Sequence, residues 1–173
     1  FGLDDAVGAG VPWEALANAE PAAALSYAGP ETISVMLYTS GTTGQGKGVP
    51  RTHQAERSAA MAHVAQNLYG RGEVTLGVMP LYHTMGVRSL LASVIINGHF
   101  VCQRRFEALE ALRLIEAERI SNLYLVPTLY HDLLTASGFA KTDTSSVRKL
   151  GFAGQAMTDG LLKRLNETFQ PEL

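Results

Sequence analysis

From Ile33 onward the apolar and polar positions follow two rhythms. Short unbroken apolar runs predict strands over 33–38, 74–79, 100–103, 123–126 and 150–152. Between them apolar residues recur every three or four positions, predicting helices over 54–68, 87–96, 108–118, 129–136 and 159–169. The stretch from Ala108 shows the helical period well: Leu109, Leu112, Ile115 and Ala117 are apolar, while Glu110, Arg113, Glu116 and Glu118 are left for water. Strands that are apolar throughout fit a sheet covered by helices on both faces. The repeated order therefore predicts an α/β fold, with alternating β-α units forming a mostly parallel sheet flanked by helices and joined by right-handed crossovers. Residues 1–30 are rich in Ala, Gly and Pro, with a short helical candidate over 13–19. They read as a connector from a preceding part of a longer chain, and residues 31–173 as the domain proper. Both ends look like cuts through a longer sequence, since the chain opens on Phe1 and stops just after a predicted helix. There is no internal repeat and no low-complexity tract.

Composition narrows the class. Hydrophobic residues at 46% and charged residues at 17% are those of a globular chain with a real core, not of a disordered one. Lys and Arg total 14 against 16 Asp and Glu, and no basic run is dense enough to call for nucleic acid or an anionic membrane. The longest apolar run, around Leu90 to Ile96, is too short for a membrane span. Cys102 is the only cysteine, which excludes an internal disulfide and fits a reducing, cytoplasmic setting; a buried, inert strand position is expected for it.

The segment Tyr38-Thr-Ser-Gly-Thr-Thr-Gly-Gln-Gly-Lys-Gly-Val49 carries the chemistry. It follows an apolar strand and combines glycines, which let backbone N–H groups approach an anion, with the hydroxyls of Thr39, Ser40, Thr42 and Thr43 and the charge of Lys47. Such a set suits a polyphosphate, of which ATP is the commonest. A plain flexible turn accounts for the glycines but not for the hydroxyls and the lysine. Gly41 to Lys47 also matches the first seven positions of a Walker A loop. The eighth should be Ser or Thr to ligate Mg²⁺ and is Gly48, and Pro50 favours an extended path where a Walker A loop opens into a helix. No helix can readily start before His53. A P-loop NTPase is thereby disfavoured.

The same segment resembles the signature loop of the adenylate-forming superfamily, which includes acyl-CoA synthetases, peptide-synthetase adenylation domains and luciferases. That pattern, [YF]-T-S-G-[ST]-T-G-x-P-K-G-V, is met everywhere except at Gly46, where proline is usual; glycine there should loosen the loop. Met79-Pro-Leu-Tyr-His83-Thr-Met-Gly86 resembles the family's P-L-x-H-x-x-G element, Leu125-Val-Pro127-Thr128 its V-P-[TS] turn, and Leu150-Gly-Phe-Ala-Gly154-Gln-Ala156 its G-G-A or A-G-A segment. The resemblance covers roughly residues 33–170 and is closest in flavour to chlorobenzoate and benzoate-type CoA ligases. On it, residues 31–173 would be part of the large AMP-binding domain.

The resemblance implies an ATP-dependent carboxylate–CoA ligase that makes an acyl-adenylate and then passes the acyl group to CoA. Thr39, Ser40, Gly41, Thr42, Thr43, Gly44 and Lys47 would hold the β- and γ-phosphates, with Thr39 helping to coordinate Mg²⁺ together with a Glu outside this chain. A strand-end hydrogen bond is the plainer reading of Thr39. Gly154, Gln155 and Ala156 would meet the adenine. His83 and Lys47 would act at the reacting groups, His83 as a gate or carboxylate contact. His83, Thr84, Met85, Tyr124, Ala153 and Gly154 would line a pocket for a hydrophobic aryl or acyl acid, though ordinary core packing explains Met85 and Tyr124 equally well. Gln155 is larger than the usual residue there and would narrow the site or add an amide contact. A Tyr-Gly-x-Thr-Glu motif, a ribose-binding Asp and a small C-terminal domain should lie beyond Leu173, so the 173-residue chain alone is expected to be inactive. A peptide-synthetase adenylation domain is the nearest rival, disfavoured because no Asp stands in the pocket segments. His53 is given no chemistry. His63, His99 and His131 lack metal-ligand spacing and read as surface or satisfied core residues.

Overall fold

The computed structural model describes residues 13–20, 27–39 and 46–171. In chain order the elements are α1 (Trp13–Ala17), β1 (Ile33–Thr39), β2 (Lys47–Thr52), α2 (His53–Gln66), β3 (Val74–Gly77), α3 (Thr84–Ile95), β4 (His99–Cys102), α4 (Ala108–Ala117), β5 (Asn122–Leu125), α5 (Pro127–Thr135), β6 (Lys149–Phe152) and α6 (Asp159–Phe169). Most of the expected connector, residues 1–12 and 21–26, lies outside the described residues.

Local chemistry starts the helices. Thr52 accepts a hydrogen bond from the Ala55 N–H at 3.2 Å, and Glu107 accepts from the N–H groups of Leu109 and Glu110. Thr158 caps α6 through the Leu161 N–H, and Pro127 opens α5 at a position that needs no N–H donor. α6 ends where Gln170 turns left-handed at φ 46°.

Four strands form a parallel sheet in the order β4-β3-β5-β6, as the β-α order predicts. Every residue of the inner strand β5 is buried. The main apolar cluster joins Leu76, Leu123 and Leu125 of the sheet to Leu112 and Ile115 of α4, Tyr130 and Leu133 of α5 and Leu165 of α6. α2 and α3 pack on each other in a smaller cluster around Ala92 and Ile96. Among the described residues no helix is long and apolar enough to cross a membrane.

Two expectations need correction. The first strand is not part of the parallel sheet: β1 pairs antiparallel with β2 in a separate hairpin, and only Val35 and Leu37 are even half-buried. A two-stranded ribbon has one shielded face at most, so its apolar run reads like a core strand without being one. Cys102 is exposed rather than buried. It ends β4, an edge strand paired on one side only, on which Val101 takes the buried position instead.

Candidate active site

The hairpin sets the ends of the phosphate-loop motif. Thr39 closes β1 directly opposite Lys47, which opens β2, so the hydroxyl and ammonium residues face each other across the ribbon, both exposed. Ser40, Gly41, Thr42, Thr43 and Gly44 lie outside the described residues. After Lys47 the chain stays extended through Pro50 to Thr52, and α2 begins at His53. A loop of the Walker type would instead send a helix out from the lysine. The extended exit expected from Gly48 and Pro50 is therefore what the chain adopts.

The second part follows β3. The chain leaves the sheet through Met79–Tyr82, and His83 stands at the N-cap of α3 with φ −118° and ψ 146°. Its N–H donates to the Pro80 carbonyl at 2.9 Å, and its side chain makes no capping bond, which leaves the imidazole free for other work. Gly86 allows the tight turn: a Cβ there would lie 2.2 Å from the Pro80 carbonyl oxygen. His83, Thr84 and Tyr82 line a cleft of about 460 Å³ together with Tyr38, Thr39 and Arg51. Arg51 is held there by an ion pair with the buried carboxylate of Glu56 on α2.

A second cleft, of about 450 Å³, lies between α2, α3 and the β5–β6 side of the sheet, lined by His63, Asn67, Arg88, Tyr124, Gly151 and Phe152 among others. His63 is only 5% exposed, edge-on to Tyr69 with ring centroids 5.2 Å apart and tilted against Tyr124 at 4.5 Å. Asn67 Nδ2 donates to the His63 carbonyl at 2.8 Å, which identifies the amide nitrogen, and the same nitrogen lies 3.1 Å from His63 Nδ1. Nδ1 must then accept, so the ring proton sits on Nε2, which has no partner. Burial and, to a smaller extent, the nearby Arg88 guanidinium lower the His63 pKa to about 4, so the ring is neutral near pH 7.

The expected residues thus divide between two places. His83 and Thr84 join Thr39 in one cleft, whereas Tyr124 lines the other. Met85 is half-buried on α3 and Ala153 half-buried after β6. Gly154 is exposed at φ 87°, a left-handed value that favours glycine, and Gln155 and Ala156 are exposed beside it. His83 follows β3, Tyr124 lies in β5 and Gly154 to Ala156 follow β6, at the carboxyl ends of parallel strands, where open α/β sheets bind ligands, whereas Thr39 ends β1 of the separate hairpin. Sequence reasoning missed Arg51, His63 and Arg88. His63 is not a satisfied core residue, because its Nε2 is left open; His99 and His131 are on the surface as expected. One signal was available for Arg88: it is the only charged residue in α3, whose other residues are apolar or small.

The chain belongs to the AMP-binding enzyme family, whose model matches residues 4–173. It is 39% identical over 140 residues to a 4-chlorobenzoate–CoA ligase of Pseudomonas sp. (strain CBS-3), covering 79% of this chain and 26% of that protein. A 4-chlorobenzoate–CoA ligase of Arthrobacter sp. is 35% identical over 144 residues, covering 82% and 28%. Among solved structures, the inhibitor-bound N-terminal domain of FACL13 from Mycobacterium tuberculosis superposes with a TM-score of 0.78 at 26% identity, over 87% of this chain and 38% of that one. ATP-bound MatB from Rhodopseudomonas palustris gives 0.77 at 25% identity, over 91% and 31%. The chain spans about a quarter of the length of the curated relatives it matches.

Proposed function

We propose that the protein containing this chain is an ATP-dependent carboxylate–CoA ligase. It activates an acid to an acyl-adenylate with release of pyrophosphate and then transfers the acyl group to the CoA thiol. The observation that carries this reading is the pairing of Thr39 with Lys47 at the loop end of a hairpin, where Thr39 shares a cleft with His83.

The residues present fit a magnesium-bound triphosphate: an exposed hydroxyl and an exposed ammonium stand opposite one another, and among the described residues no acidic side chain lines the cleft that Thr39 shares with His83. ATP supplies the electrophilic phosphorus and the pyrophosphate leaving group. In this reading the Lys47 ammonium stabilises negative charge growing on the β- and γ-phosphates, and Thr39 with Ser40 to Gly44 positions their oxygens. Thr39 also contributes a hydroxyl toward Mg²⁺, with a carboxylate from elsewhere in the protein. His83 contacts the acid carboxylate and need not act as a base, because a carboxylic acid is already ionised near pH 7. Gly154, Gln155 and Ala156 present backbone to the adenine, and Met85, Tyr124 and Ala153 shape the acid pocket behind His83. No Asp lines either cleft among the described residues, so nothing there favours an amino-acid substrate over a plain acid.

The test is carboxylate-dependent pyrophosphate exchange by the full-length protein across a panel of acids. Lys47→Ala is expected to lower kcat/KM for adenylation by about 100-fold or more, as loss of one transition-state donor does elsewhere. ATP hydrolysis that needs no carboxylate would refute the ligase reading. The 173-residue chain alone is expected to give no exchange.

A further inference from the structure

The cleft shared by Thr39 and His83 holds one fixed charge that the reaction as proposed does not use. Arg51 lines it, and among the described residues no other Lys or Arg and no Asp or Glu does. Its place follows from the ribbon. Thr39 pairs with Lys47, Leu37 with Val49 and Val35 with Arg51, and residues two apart on a strand share a face. That face therefore carries a cation at each end, Lys47 at the loop and Arg51 about 13 Å further in, beside the start of α2. The guanidinium is held from behind. Glu56, itself buried, closes off the enclosed Nε and is the one carboxylate paired with Arg51 among the described residues. A buried carboxylate is costly to keep, and this one fixes the orientation of a single arginine. With 25% of the Arg51 side chain still accessible, the Nη edge of the fork is left to meet an anion.

We propose that Arg51 is a further residue of the adenylation centre, holding the α-phosphate while the acid is activated, with Glu56 as the positioning residue behind it. The assignment rests on the ligase reading and adds a contact to it. On that reading the loop takes the β- and γ-phosphates and His83 the carboxylate, so the phosphorus under attack lies in the cleft between Thr39 and His83. The carboxylate oxygen bonds to that phosphorus as its bond to pyrophosphate breaks, and the α-phosphate keeps a negative charge in the acyl-adenylate. Lys47 stands at the loop end, with the group that leaves. What stays in the cleft is an anion, and Arg51 is the fixed opposite charge lining it. A guanidinium already oriented by Glu56 meets that anion with little further ordering.

The experiment measures AMP and adenosine binding to the full-length protein by isothermal titration calorimetry at one ionic strength. Adenosine has no phosphate and AMP only the α-phosphate, so the ratio of their dissociation constants reads the contact directly. A change that merely shifts the ribbon on α2 moves both constants and leaves the ratio alone. Glu56→Gln keeps an acceptor for the Arg51 Nε and serves as the reference background, because removing Arg51 there strands no buried charge. Adding Arg51→Gln should cut the preference for AMP over adenosine by about 10-fold to 100-fold, the range for losing a charged hydrogen bond. Arg51→Lys in the same background, which keeps the charge without the fork, should retain part of the preference. A wild-type protein that binds AMP no better than adenosine overturns the Arg51 assignment and leaves the ligase reading standing. So does an Arg51→Gln variant that loses AMP and adenosine equally, or loses neither. Absence of carboxylate-dependent pyrophosphate exchange in the wild-type protein overturns both.

Discussion

Removing Lys149 should destabilise this domain more than removing any surface charge. Lys149 opens β6 and pairs with Glu73 just before β3; their side chains are 12% and 6% exposed. The ammonium also donates to the Leu68 carbonyl at 2.6 Å. Glu73 in turn accepts from the Gly70 N–H at 2.8 Å and from Asn122 Nδ2 at 3.3 Å, Asn122 being wholly buried at the start of β5. The network thus ties together the amino ends of three strands. In Lys149→Met the methionine fills the stem's space, but Glu73 remains as an enclosed carboxylate without a counter-charge. Breaking one partner of a buried pair costs about 3–5 kcal/mol. Replacing both, in Glu73→Gln with Lys149→Met, leaves an uncharged amide whose oxygen can still accept from the Gly70 N–H, while its NH2 can donate to the otherwise unpartnered Asn122 Oδ1 once that amide turns over. That double variant should lose less than Lys149→Met alone, with a coupling of about 2 kcal/mol between the sites. Urea unfolding followed by far-UV circular dichroism measures each variant, with an unchanged slope required before midpoints are compared. The Arg113–Glu110 pair on the exposed face of α4 is the control: Arg113→Ala should leave the midpoint unmoved. A Lys149→Met cost below about 1 kcal/mol, or strictly additive single variants, would show that the pair is solvated and refute the reasoning.

Two further predictions concern the site. Because the His63 pKa falls from 6.5 to about 4 on folding, the unfolded chain binds a proton that the folded one refuses between those values. Stability should therefore drop as pH falls from 6.5 toward 4 and level off below. The shift sets a ceiling of about 3 kcal/mol, reduced to roughly 1–2 by the open mouth of the cleft. Nuclear magnetic resonance titration of the His63 ring tests this directly, and a midpoint at or above 6.5 contradicts it. Gly86→Ala should force the Met79–Tyr82 turn away from α3, because the new methyl would sit within 2.5 Å of both the Met79 and Pro80 carbonyl oxygens. Overpacking of this kind costs about 1–3 kcal/mol. It should also lower activity through displacement of His83, whereas Gly160→Ala, with open space around it, should do neither.

Much of the fold could be read directly because its signals are local. α6 runs over the residues its period predicts, and α2 starts at His53 because Pro50 and the capping Thr52 leave no earlier choice. The errors came where the missing information was not local. Ile33 to Tyr38 is as apolar as β5, and nothing within it says that β1 pairs with an antiparallel neighbour instead of entering the sheet. Only the alternation of Val35 and Leu37 as the less exposed positions marks it as a ribbon, and that emerges from pairing. Cys102 failed for the same reason, since whether an apolar residue is buried on an edge strand depends on what covers the edge.

The site divides along the same line. The phosphate loop is one continuous segment, so its hydroxyls, glycines and lysine could be recognised together. The second cleft is assembled from α2, α3, β5 and β6, and its residues His63 and Arg88 share no motif; they come to one cleft because α2 packs on α3. The two halves are also built differently. Tyr124 and Gly151, both buried, belong to the parallel sheet, which holds the second cleft in place. The hairpin bearing Thr39 and Lys47 stands outside that sheet and reaches the body through α2, by the Arg51–Glu56 ion pair and by the His53 and Gln54 N–H groups bonded to the Thr32 and Pro30 carbonyls. On the proposed reading, the acid pocket is anchored in the core while the triphosphate grip is carried on the ribbon, so the two can change independently.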